Sequence, residues 1–552
     1  MKINNLEKTV GERFESGDFG WIKKLLMHKG VEIFLVGGAV RDLLLGREVK
    51  DFDFVVRGLE IKKLETILAQ MGRVELVGKN FGVFKFVPKI FSSSNLDEKI
   101  LIDVALPRKE ISLATGGYRD FKVQFDDNIP IEEDLGRRDF TINALAYNLK
   151  TKELVDEFGG MDDLNKKIIR TVGNAYERFE EDYSRMLRGI RFACQLKFRF
   201  DNNTWAAIEK LICHINDQRI GYDSKFYKSV RQVGGSNLSK SKKKTKESEA
   251  RIVPLEIIAG ELLKAFVANP VKAFDLYDKS GAFQELMPEV LKMKGCPQPE
   301  EWHSEGDVWN HVRLCLFNLG SKAFVKRFKN QIIFDSRFEI RNPKFEINSK
   351  LLNVELVMAV LLHDVGKPET IQTPEEYGTD RLRFNGHDDL SAKMAVKISE
   401  RLKLSAAPEF EFDPERVSWL IARHHLFDTQ TIKSMKNSTI EKYFFNDRFS
   451  GEDLLKLGFV DMLSSIRKKT GEGDMENFEF MVRRINELKR MGKGKRLPEP
   501  FLNGDEVMKI LKINPGEKVG KVLEDLREKQ LSGEIRNKRE AISSLKNTEE
   551  LH

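Results

Sequence analysis

The segment that most restricts how this chain can fold is an apolar run that ends in two consecutive glycines. The run covers residues 31–36 and predicts a buried strand, and Gly37 and Gly38 follow it directly. Because glycine has no side chain, the backbone at this point can approach a phosphate closely. Residues 39–45 then predict a helix whose N-terminal amides can face the same anion. The sequence therefore predicts an anion-binding turn between a strand and a helix.

Two carboxylates follow on a second predicted strand. Asp51 and Asp53 alternate with Phe52 and Phe54, so a strand places both carboxylates on one face and both rings in the core. Oxygen ligands held rigidly beside a phosphate-binding turn are what a two-metal phosphoryl-transfer centre requires. The pattern predicts phosphoryl-transfer chemistry on nucleotides.

A third carboxylate in such a centre often comes from a neighbouring strand. Asp103 lies in the apolar, alternating segment 100–105 and is the candidate, with an ordinary polar strand residue as the alternative. Arg41 follows the glycines and is a candidate phosphate contact. Its neighbour Asp42 is equally well explained as a local salt-bridge partner that braces the turn.

A second dense group of polar residues lies between residues 133 and 144. The guanidinium of Arg138 suits triphosphate oxygens, Asp139 can accept a hydrogen bond from a ribose hydroxyl, and Asn143 can donate or accept there. The alternative is a charged helix cap without a ligand.

A third group lies on a predicted amphipathic helix. Apolar residues recur at three- and four-residue steps over residues 179–194, which predicts one continuous helix. Asp182 and Arg185 are three residues apart and would share a face of the helix. A hydrogen-bond acceptor and a donor side by side could then mimic a Watson–Crick edge and select an incoming base. The alternative is a surface ion pair that contributes little, although Arg188 continues a basic line that is unusual for such a pair.

Histidines and aspartates are concentrated in the C-terminal half. Six of the nine histidines lie between residues 303 and 425, most of them beside Asp or Gly. Imidazole nitrogens and aspartate oxygens on helices are ligands for a divalent transition metal. For any single histidine, a buried, hydrogen-bonded ring without a metal is the alternative.

Length and composition limit the class of protein. At 552 residues the chain is too long for one core, so several domains are expected. The net charge of +7 permits a nucleic-acid partner without requiring one. The four cysteines form no CxxC pair, which argues against a zinc knuckle and a disulfide framework. The polar start and the lack of a long apolar run predict a cytoplasmic protein with no membrane span.

The order of predicted elements indicates an α+β head followed by a mostly helical remainder. A Gly-, Ser- and Lys-rich stretch interrupts the helical part, and we interpret it as a mobile insertion, with contact to a nucleic-acid backbone as the alternative. A second irregular stretch covers about residues 328–350. The predicted domains are a head over residues 1–155, a helical neck with the nucleotide-selecting helix over 156–222, the insertion over 223–255, a helical body over 256–299, a metal-binding domain over 300–470 and a helical tail over 471–552.

Several long motifs resemble those of class II tRNA nucleotidyltransferases and bacterial poly(A) polymerases, in the order seen in that family. The matching segments are residues 37–42 (GGAVRD), 51–53 (DFD), 137–144 (RRDFTINA), 156–164 (DEFGGMDDL) and 177–188 (ERFEEDYSRMLR). The resemblance covers about residues 30–200 and implies a polymerase-β-like nucleotidyltransferase head. Residues 111–127, with the flexible segment Gly116-Gly117-Tyr118, resemble only one branch of the family.

The resemblance also implies roles for individual residues of the head. Asp51 and Asp53 would bind Mg²⁺, and Asp103 is the candidate third catalytic carboxylate. Arg138 and Asp139 would recognise triphosphate and ribose, while Asp182 and Arg185 would select CTP and ATP. The nucleotide-binding residues expected are Gly37, Gly38, Arg41, Arg138, Asp139, Asn143, Asp182, Arg185 and Arg188.

The histidine-rich segment, about residues 300–465, resembles an HD-superfamily phosphohydrolase domain. The resemblance implies one divalent transition metal on a first set of ligands, namely His311, His363, Asp364 and Asp461. His387, with either His424 or His425, would hold a second metal or contact phosphate. We favour His425 as this ligand, although the spacing does not decide between the two histidines. The expected reaction is hydrolysis of a phosphomonoester or a 2′,3′-cyclic phosphate at an RNA end. The alternative is a degenerate HD fold kept for docking tRNA.

The hypothesis for the whole chain is addition of CCA to the 3′ end of tRNA from CTP and ATP, with release of pyrophosphate, coupled to an HD phosphohydrolase. Residues 502–521 resemble the C-terminal region of CCA-adding enzymes, which favours tRNA as the partner. The amides around Gly516 and Gly520 are candidates for a tRNA phosphate contact, with a plain helical brace as the alternative. Rival hypotheses are a poly(A) polymerase, a partial enzyme that adds only C or only A, and an RNA-end phosphohydrolase with an RNA-binding head.

Overall fold

The computed structural model divides the chain into two compact units. The first consists of Met1–Ala268 and Asp275–Leu286, and the second of Asn269–Phe274 and Met287–His552. The residues that the structure describes are 3–15, 19–49, 51–77, 82–89, 102–112, 115–117, 120–218, 251–329, 351–427, 429–491 and 497–549. The interior of the predicted insertion, most of the irregular stretch near residue 340, and Tyr118 lie outside these residues.

The first unit contains all the described strands. They are β1 (Glu32–Val36), β2 (Phe52–Arg57), β3 (Gly72–Val77), β4 (Val83–Pro88), β5 (Ile102–Ala105), β6 (Arg108–Ser112), β7 (Phe121–Phe125), β8 (Ala146–Asn148), β9 (Leu154–Val155), β10 (Ile168–Ile169) and β11 (Arg199–Phe200). Seven of them form one mixed sheet in the order β3-β4-β5-β2-β1-β8-β9, while β6 pairs with β7 and β10 pairs with β11.

Helices α1 to α10 and α12 belong to the same unit as these strands, and the boundary between the two units falls within α11. Their bounds are α1 (Ile3–Glu15), α2 (Gly20–Leu26), α3 (Gly38–Leu44), α4 (Ile61–Met71), α5 (Ile131–Gly136), α6 (Gly160–Lys166), α7 (Ala175–Glu181), α8 (Ser184–Leu196), α9 (Asn202–Leu211), α10 (Leu255–Ala268), α11 (Pro270–Ser280) and α12 (Ala282–Leu286). An α+β head followed by helices matches the predicted fold class. The helix expected over residues 61–71 and the strands expected near residues 33, 54, 85 and 103 are all present.

The sheet register brings the glycine turn and the carboxylates to the same edge. β1 and β2 are antiparallel with Leu35 opposite Phe54, so the end of β1 lies beside the start of β2. β5 runs parallel to β2, and Asp53 is directly opposite Asp103. Phe52 and Phe54 are buried on the other face, where the ring of Phe19 contacts both of them edge-on at 5.2 and 5.3 Å.

The single helix predicted over residues 179–194 is wrong, because the chain breaks at residue 182. α7 ends at Glu181, and Asp182 has an extended backbone (φ −157°, ψ 101°). Its carboxylate accepts hydrogen bonds from the backbone N–H and the hydroxyl of Ser184, at 2.9 and 2.6 Å. This local hydrogen bonding to Ser184, the first residue of α8, holds Asp182 in a non-helical conformation and overrides the apolar periodicity.

The second unit is helical in the residues that the structure describes. Its further helices are α13 (Pro288–Leu291), α14 (Val308–Asn318), α15 (Lys322–Lys329), α16 (Val354–Leu362), α17 (Lys367–Thr370), α18 (Pro374–Tyr377), α19 (His387–Arg401), α20 (Pro414–Ile421), α21 (Thr429–Ser434), α22 (Asn437–Phe444), α23 (Gly451–Ser464), α24 (Met475–Met491), α25 (Gly504–Leu511), α26 (Glu517–Leu531) and α27 (Lys538–Glu549). The apolar run at α16 forms the predicted buried helix. The last three helices share their own apolar core, which includes Val507, Leu526 and Leu545.

Among the described residues, no helix combines the length and the apolar character that crossing a membrane requires.

A buried ion pair links α8 to α10 within the first unit. Arg191 Nε lies 2.5 Å from Glu261 Oε2, and Arg188 Nη1 lies 3.9 Å from Glu261 Oε1. Glu261 and Arg191 are both buried. Burial alone would raise the pKa of Glu261, but the guanidinium groups of Arg191 and Arg188 hold that pKa below its ordinary value.

We expect Glu261→Ala to lower the free energy of unfolding of the first unit by about 3–5 kcal/mol, because it removes the carboxylate that faces the buried guanidinium of Arg191 and the half-buried guanidinium of Arg188. Urea unfolding of the full chain, followed by tryptophan fluorescence, measures this. Glu209→Ala, on the exposed face of α9, is the control and should change stability by less than about 0.5 kcal/mol. Equal stability of the two variants would contradict the role of the pair.

Candidate active sites

The glycine turn of the head is closely covered by an arginine. Gly37 has φ 71°, in the left-handed region that glycine adopts without strain. A Cβ at this position would lie only 2.5 Å from Nη1 of Arg138. Arg138 also donates to the backbone oxygen of Asn143, at 3.3 Å. The missing side chain of Gly37 therefore lets a guanidinium lie directly against the turn.

The predicted carboxylates lie at the edge of the sheet beside this turn. Asp53 is exposed and Asp103 is half-buried, on adjacent parallel strands with their Cα atoms in register. Side chains directly opposite on neighbouring strands point to the same face. Asp51 is exposed and directly precedes β2. The donor set is made of carboxylate oxygens alone, which fits Mg²⁺.

A continuous chain of hydrogen bonds connects the turn to helix α8. Arg41 is buried, and its guanidinium donates to both oxygens of Asp42, each at 2.8 Å, and to Oδ1 of Asn143 at 2.6 Å. Asn143 Nδ2 donates to Asp139 Oδ1 at 3.0 Å. Arg188 Nε, on α8, donates to Asp139 Oδ2 at 2.9 Å. One polar network, which we call the head network, therefore joins five residues: Arg41, Asp42, Asp139, Asn143 and Arg188.

Asp139 is the central member of the head network. Burial alone would raise its pKa, but the guanidinium of Arg188 and the amide of Asn143 hold the pKa of this carboxyl well below its ordinary value. Asp139 is therefore ionised at neutral pH and fixes the orientation of the groups on both sides. The same ion pair raises the pKa of Arg188.

Asp182 and Arg185 are close together, but they do not form a tight ion pair. Arg185 Nε is 4.0 Å from Asp182 Oδ2, whereas its Nη1 lies 2.6 Å from Glu181 Oε2. Burial raises the pKa of Asp182. Next to them, the backbone N–H of Tyr183 donates to the oxygen of Gly116 at 3.0 Å. The structure thus brings the segment at Gly116 to the predicted base-selecting residues.

In the second unit, the predicted metal ligands come from five helical elements and converge. His311 lies on α14 and Asp461 on α23, His363 and Asp364 follow α16, His387 begins α19, and His424 and His425 lie in the 3₁₀ helix His424–Phe427. His311, His363 and Asp364 are almost completely buried. Helix ends and one inward helix face therefore position ligands that are far apart in sequence.

One group of possible ligand atoms surrounds His311. Its Nε2 lies 3.1 Å from Asp461 Oδ1 and 3.5 Å from Cys315 Sγ. Ligand atoms of His311, Cys315, His363 and Asp461 all lie within 4.8 Å of one another. Burial alone would raise the pKa of Asp461, but the hydrogen bond to His311 and the nearby imidazoles hold that pKa well below its ordinary value.

A second group consists of three histidines. His387 Nε2 lies 3.0 Å from His425 Nε2 and 3.4 Å from His424 Nε2. His387 and His424 both contact backbone oxygens through Nδ1, at 2.7 and 2.6 Å, which leaves Nε2 for a metal. His424 and His425 therefore both remain candidates, and the preference for His425 stays a prediction.

Asp364 lies between the two groups. Its Oδ2 is 3.4 Å from His363 Nε2, and its Oδ1 is 3.4 Å from His387 Nε2 and 3.8 Å from His424 Nε2. Lys367 Nζ lies 2.8 Å from Oδ2. One carboxylate can therefore contribute an oxygen to each group.

The residues fit a divalent transition metal. His363 Nδ1 contacts the Val360 oxygen at 2.9 Å, while its buried Nε2 has no hydrogen-bond partner among the described residues. A buried polar atom without a partner is costly unless something else coordinates it. A metal held by imidazole nitrogens and carboxylate oxygens would satisfy this atom.

The sequence analysis missed two neighbours of His311. Glu305 Oε1 lies 2.9 Å from His311 Nδ1 and 2.7 Å from His303 Nδ1, an outer carboxylate of the kind that orients metal-binding histidines. Cys315, four residues after His311, reaches the first group from the same face of α14. Helical spacing from His311 was the available signal for Cys315, whereas no sequence pattern pointed to Glu305.

Comparisons with known proteins give two family matches. The poly A polymerase head domain matches residues 33–170, and the HD domain matches residues 345–458. The first match includes the head network except Arg188. The second includes His363, Asp364 and the three-histidine group, but neither His311 nor Asp461.

Curated proteins with the name multifunctional CCA protein are similar over most of the chain. One from Neisseria gonorrhoeae is 30% identical over 412 residues, which are 74% of this chain and 77% of that protein. One from a Janthinobacterium species is 31% identical over 376 residues, which are 68% of this chain and 69% of that protein.

Solved structures of CCA-adding enzymes share the fold. The Bacillus stearothermophilus enzyme in complex with CTP has a TM-score of 0.56 at 20% identity, covering 97% of this chain and 98% of that one. The Thermotoga maritima enzyme complexed with tRNA has a TM-score of 0.51 at 20% identity, covering 94% and 91%.

We expect His363→Ala and Asp364→Ala to lose most of the tightly bound transition metal, because each removes a buried donor at the convergence of the two groups. Metal analysis of the dialysed full-length protein by mass spectrometry measures this. His214→Ala is the matched control, since His214 Nδ1 contacts Asp217 at 2.7 Å in the first unit. Metal content that is the same in all three variants and the parent would contradict a metal centre at these residues.

Proposed function

The chain belongs to the family of multifunctional CCA proteins, and on this basis we propose that it adds CCA to the 3′ end of tRNA from CTP and ATP. The 3′-hydroxyl of the tRNA attacks the α-phosphorus of the nucleotide, a phosphodiester bond forms, and pyrophosphate leaves. Membership of this family makes the chain an enzyme, while the use of CTP and ATP is part of the proposal.

The observation that carries the proposal is the head network beside the paired carboxylates. It joins residues from three distant segments at the edge where Asp53 and Asp103 are in register. Such an arrangement holds charged donors in fixed positions before a nucleotide arrives. Preorganised charge of this kind is the main contribution that a protein makes to phosphoryl transfer.

Each part of the head has a proposed role. Arg138 and Arg41, at the turn of Gly37 and Gly38, bind the triphosphate, since guanidinium groups match its oxygens. Asp139 and Asn143 orient the ribose. Asp51, Asp53 and Asp103 would hold Mg²⁺, which neutralises the charge that develops on the α-phosphate.

Selection of the base is proposed for helix α8 and for Asp182, two residues before it. Asp182 offers a carboxylate acceptor and Arg185 a guanidinium donor at 4.0 Å, a spacing that can satisfy complementary groups on one base edge. Arg188 positions this region through Asp139 rather than through the base. Selection by protein groups accounts for addition without a nucleic-acid template.

We also propose a second activity, hydrolysis of phosphate esters at RNA ends by the HD domain. Its support is the convergence of His311, His363, Asp364 and Asp461 with the three-histidine group. A transition metal held there would act as a Lewis acid toward a phosphomonoester or a 2′,3′-cyclic phosphate. Hydrolysis that breaks the bond between phosphorus and the 3′-oxygen would expose the 3′-hydroxyl that nucleotide addition requires.

The nucleotidyltransferase proposal is tested with tRNA transcripts that lack the terminal trinucleotide. With Mg²⁺, CTP alone should extend the RNA by two residues, and CTP with ATP by three, as resolved on sequencing gels. Asp53→Asn should lower the rate at least about a hundredfold, because it removes a charged metal ligand from the transition state. Asp162→Asn, an exposed aspartate of α6 paired with Lys166, should leave the rate unchanged.

Other product patterns would contradict CCA addition and identify a rival. Long ladders with ATP alone would indicate a poly(A) polymerase. Arrest after C, or a requirement for a ready-made CC end, would indicate a partial enzyme.

The phosphohydrolase proposal is tested with RNA that ends in a 2′,3′-cyclic phosphate or a 3′-phosphate. With Mn²⁺, Co²⁺, Ni²⁺ or Zn²⁺ supplied, we expect phosphate-ester hydrolysis that His363→Ala and Asp364→Ala abolish and Asp53→Asn preserves. The reverse dependence should hold for nucleotide addition. A parent protein that hydrolyses neither end with any of these metals would contradict the proposal and favour a docking role for the domain.

A further inference from the structure

Cys315 lies in the metal-binding centre of the HD domain, although the ligands expected there are histidines and aspartates. It is completely buried on α14, one helical turn after His311. Side chains four residues apart lie on the same face of a helix. The Sγ atom is 3.5 Å from His311 Nε2, the nitrogen that faces Asp461.

The surrounding atoms indicate that this position is built for an ion. His363 is completely buried, and its Nε2 has no hydrogen-bond partner within the described residues. That nitrogen points into the group in which the sulfur, two imidazole nitrogens and one carboxylate oxygen all lie within 4.8 Å of one another. The orphaned nitrogen is independent evidence that something beyond the protein completes this group.

We propose that Cys315 is a thiolate ligand of the metal ion held by His311, His363 and Asp461. The inference rests on the proposed HD centre and specifies the chemistry of its first metal site. A thiol gives up its proton to solvent when it binds a divalent ion, as at other metal-bound cysteines. The resulting donors are two nitrogens, one oxygen and one sulfur, with Asp364 beside them.

A sulfur donor determines which ions the site prefers. Thiolate is a soft ligand that favours Zn²⁺, Co²⁺ and Ni²⁺ over Mg²⁺ and Mn²⁺. A site with only oxygen and nitrogen donors discriminates less between these ions. The alternative is that Cys315 acts only as a small buried side chain that packs against His311. The two possibilities differ in whether a metal–sulfur bond forms.

The experiment is X-ray absorption at the metal edge of the full-length protein loaded with Zn²⁺. We expect a sulfur shell at about 2.3 Å, beside nitrogen and oxygen at about 2.0–2.2 Å. The Co²⁺ form should show sulfur-to-metal charge-transfer absorption in the near ultraviolet. The parent protein alone can overturn the proposal, because a fully loaded site without a sulfur shell excludes the bond whether or not any variant folds.

Two cysteine variants assign the sulfur. Cys315→Ser should lose both signals. Its affinity for Zn²⁺ relative to Mn²⁺ should fall at least about tenfold, since changes even in the outer partners of metal ligands have effects of this size. Cys194→Ser, a buried cysteine of the first unit, should keep the signals. A sulfur shell that persists in Cys315→Ser would overturn the assignment.

Failure of this inference is distinguishable from failure of the proposed phosphohydrolase. A parent protein that binds Zn²⁺ through nitrogen and oxygen only, and still hydrolyses RNA-end phosphates, overturns the cysteine ligand and leaves the activity. A parent protein that binds no transition metal overturns both.

Discussion

The buried carboxylate of Asp139 is the interaction on which the organisation of the head depends. It accepts from Asn143 on one side and from Arg188 on the other, and Asn143 in turn accepts from Arg41 at the glycine turn. A buried charge is stable only when donors surround it, so loss of any member leaves the others unsatisfied. The same network therefore fixes the turn, the segment after α5 and helix α8 in one arrangement.

Much of this architecture could be predicted from short-range sequence patterns. The alternation of polar and apolar residues around Asp53 predicts β2, and the apolar runs predict β1 and α16. Each pattern specifies one element, because burial of one face requires apolar residues at regular intervals in the sequence. The pair β6 and β7 was not predicted, because RKEIS is largely polar and the alternating FKVQF pairs only with it, in a separate two-stranded ribbon. The break at Asp182 was missed because a carboxylate that hydrogen-bonds to Ser184 breaks the helix while it leaves the apolar period intact.

The site residues that belong to a sequence motif were predicted. The residues that only the three-dimensional fold brings to the site were missed. His363 and Asp364 are adjacent in sequence, whereas Glu305 reaches His311 from an irregular segment and binds the backbone N–H of Ile466 as well. Cysteine is also among the most frequently buried residue types. A buried cysteine on an apolar helix is therefore explained by packing alone until the ring beside it is located, and the helical spacing from His311 was the only sequence pattern that pointed to Cys315.

The two proposed centres differ in how completely the protein supplies the coordination of the ion. In the head the donors are carboxylates at an exposed sheet edge, so Mg²⁺ would complete its octahedron with nucleotide phosphates and water. In the HD domain the donors are buried and include nitrogen, so an ion can be held before any substrate binds. Hard oxygen donors and softer nitrogen donors select different ions from the same mixture. Each proposed reaction would therefore have its own kind of metal site within one chain.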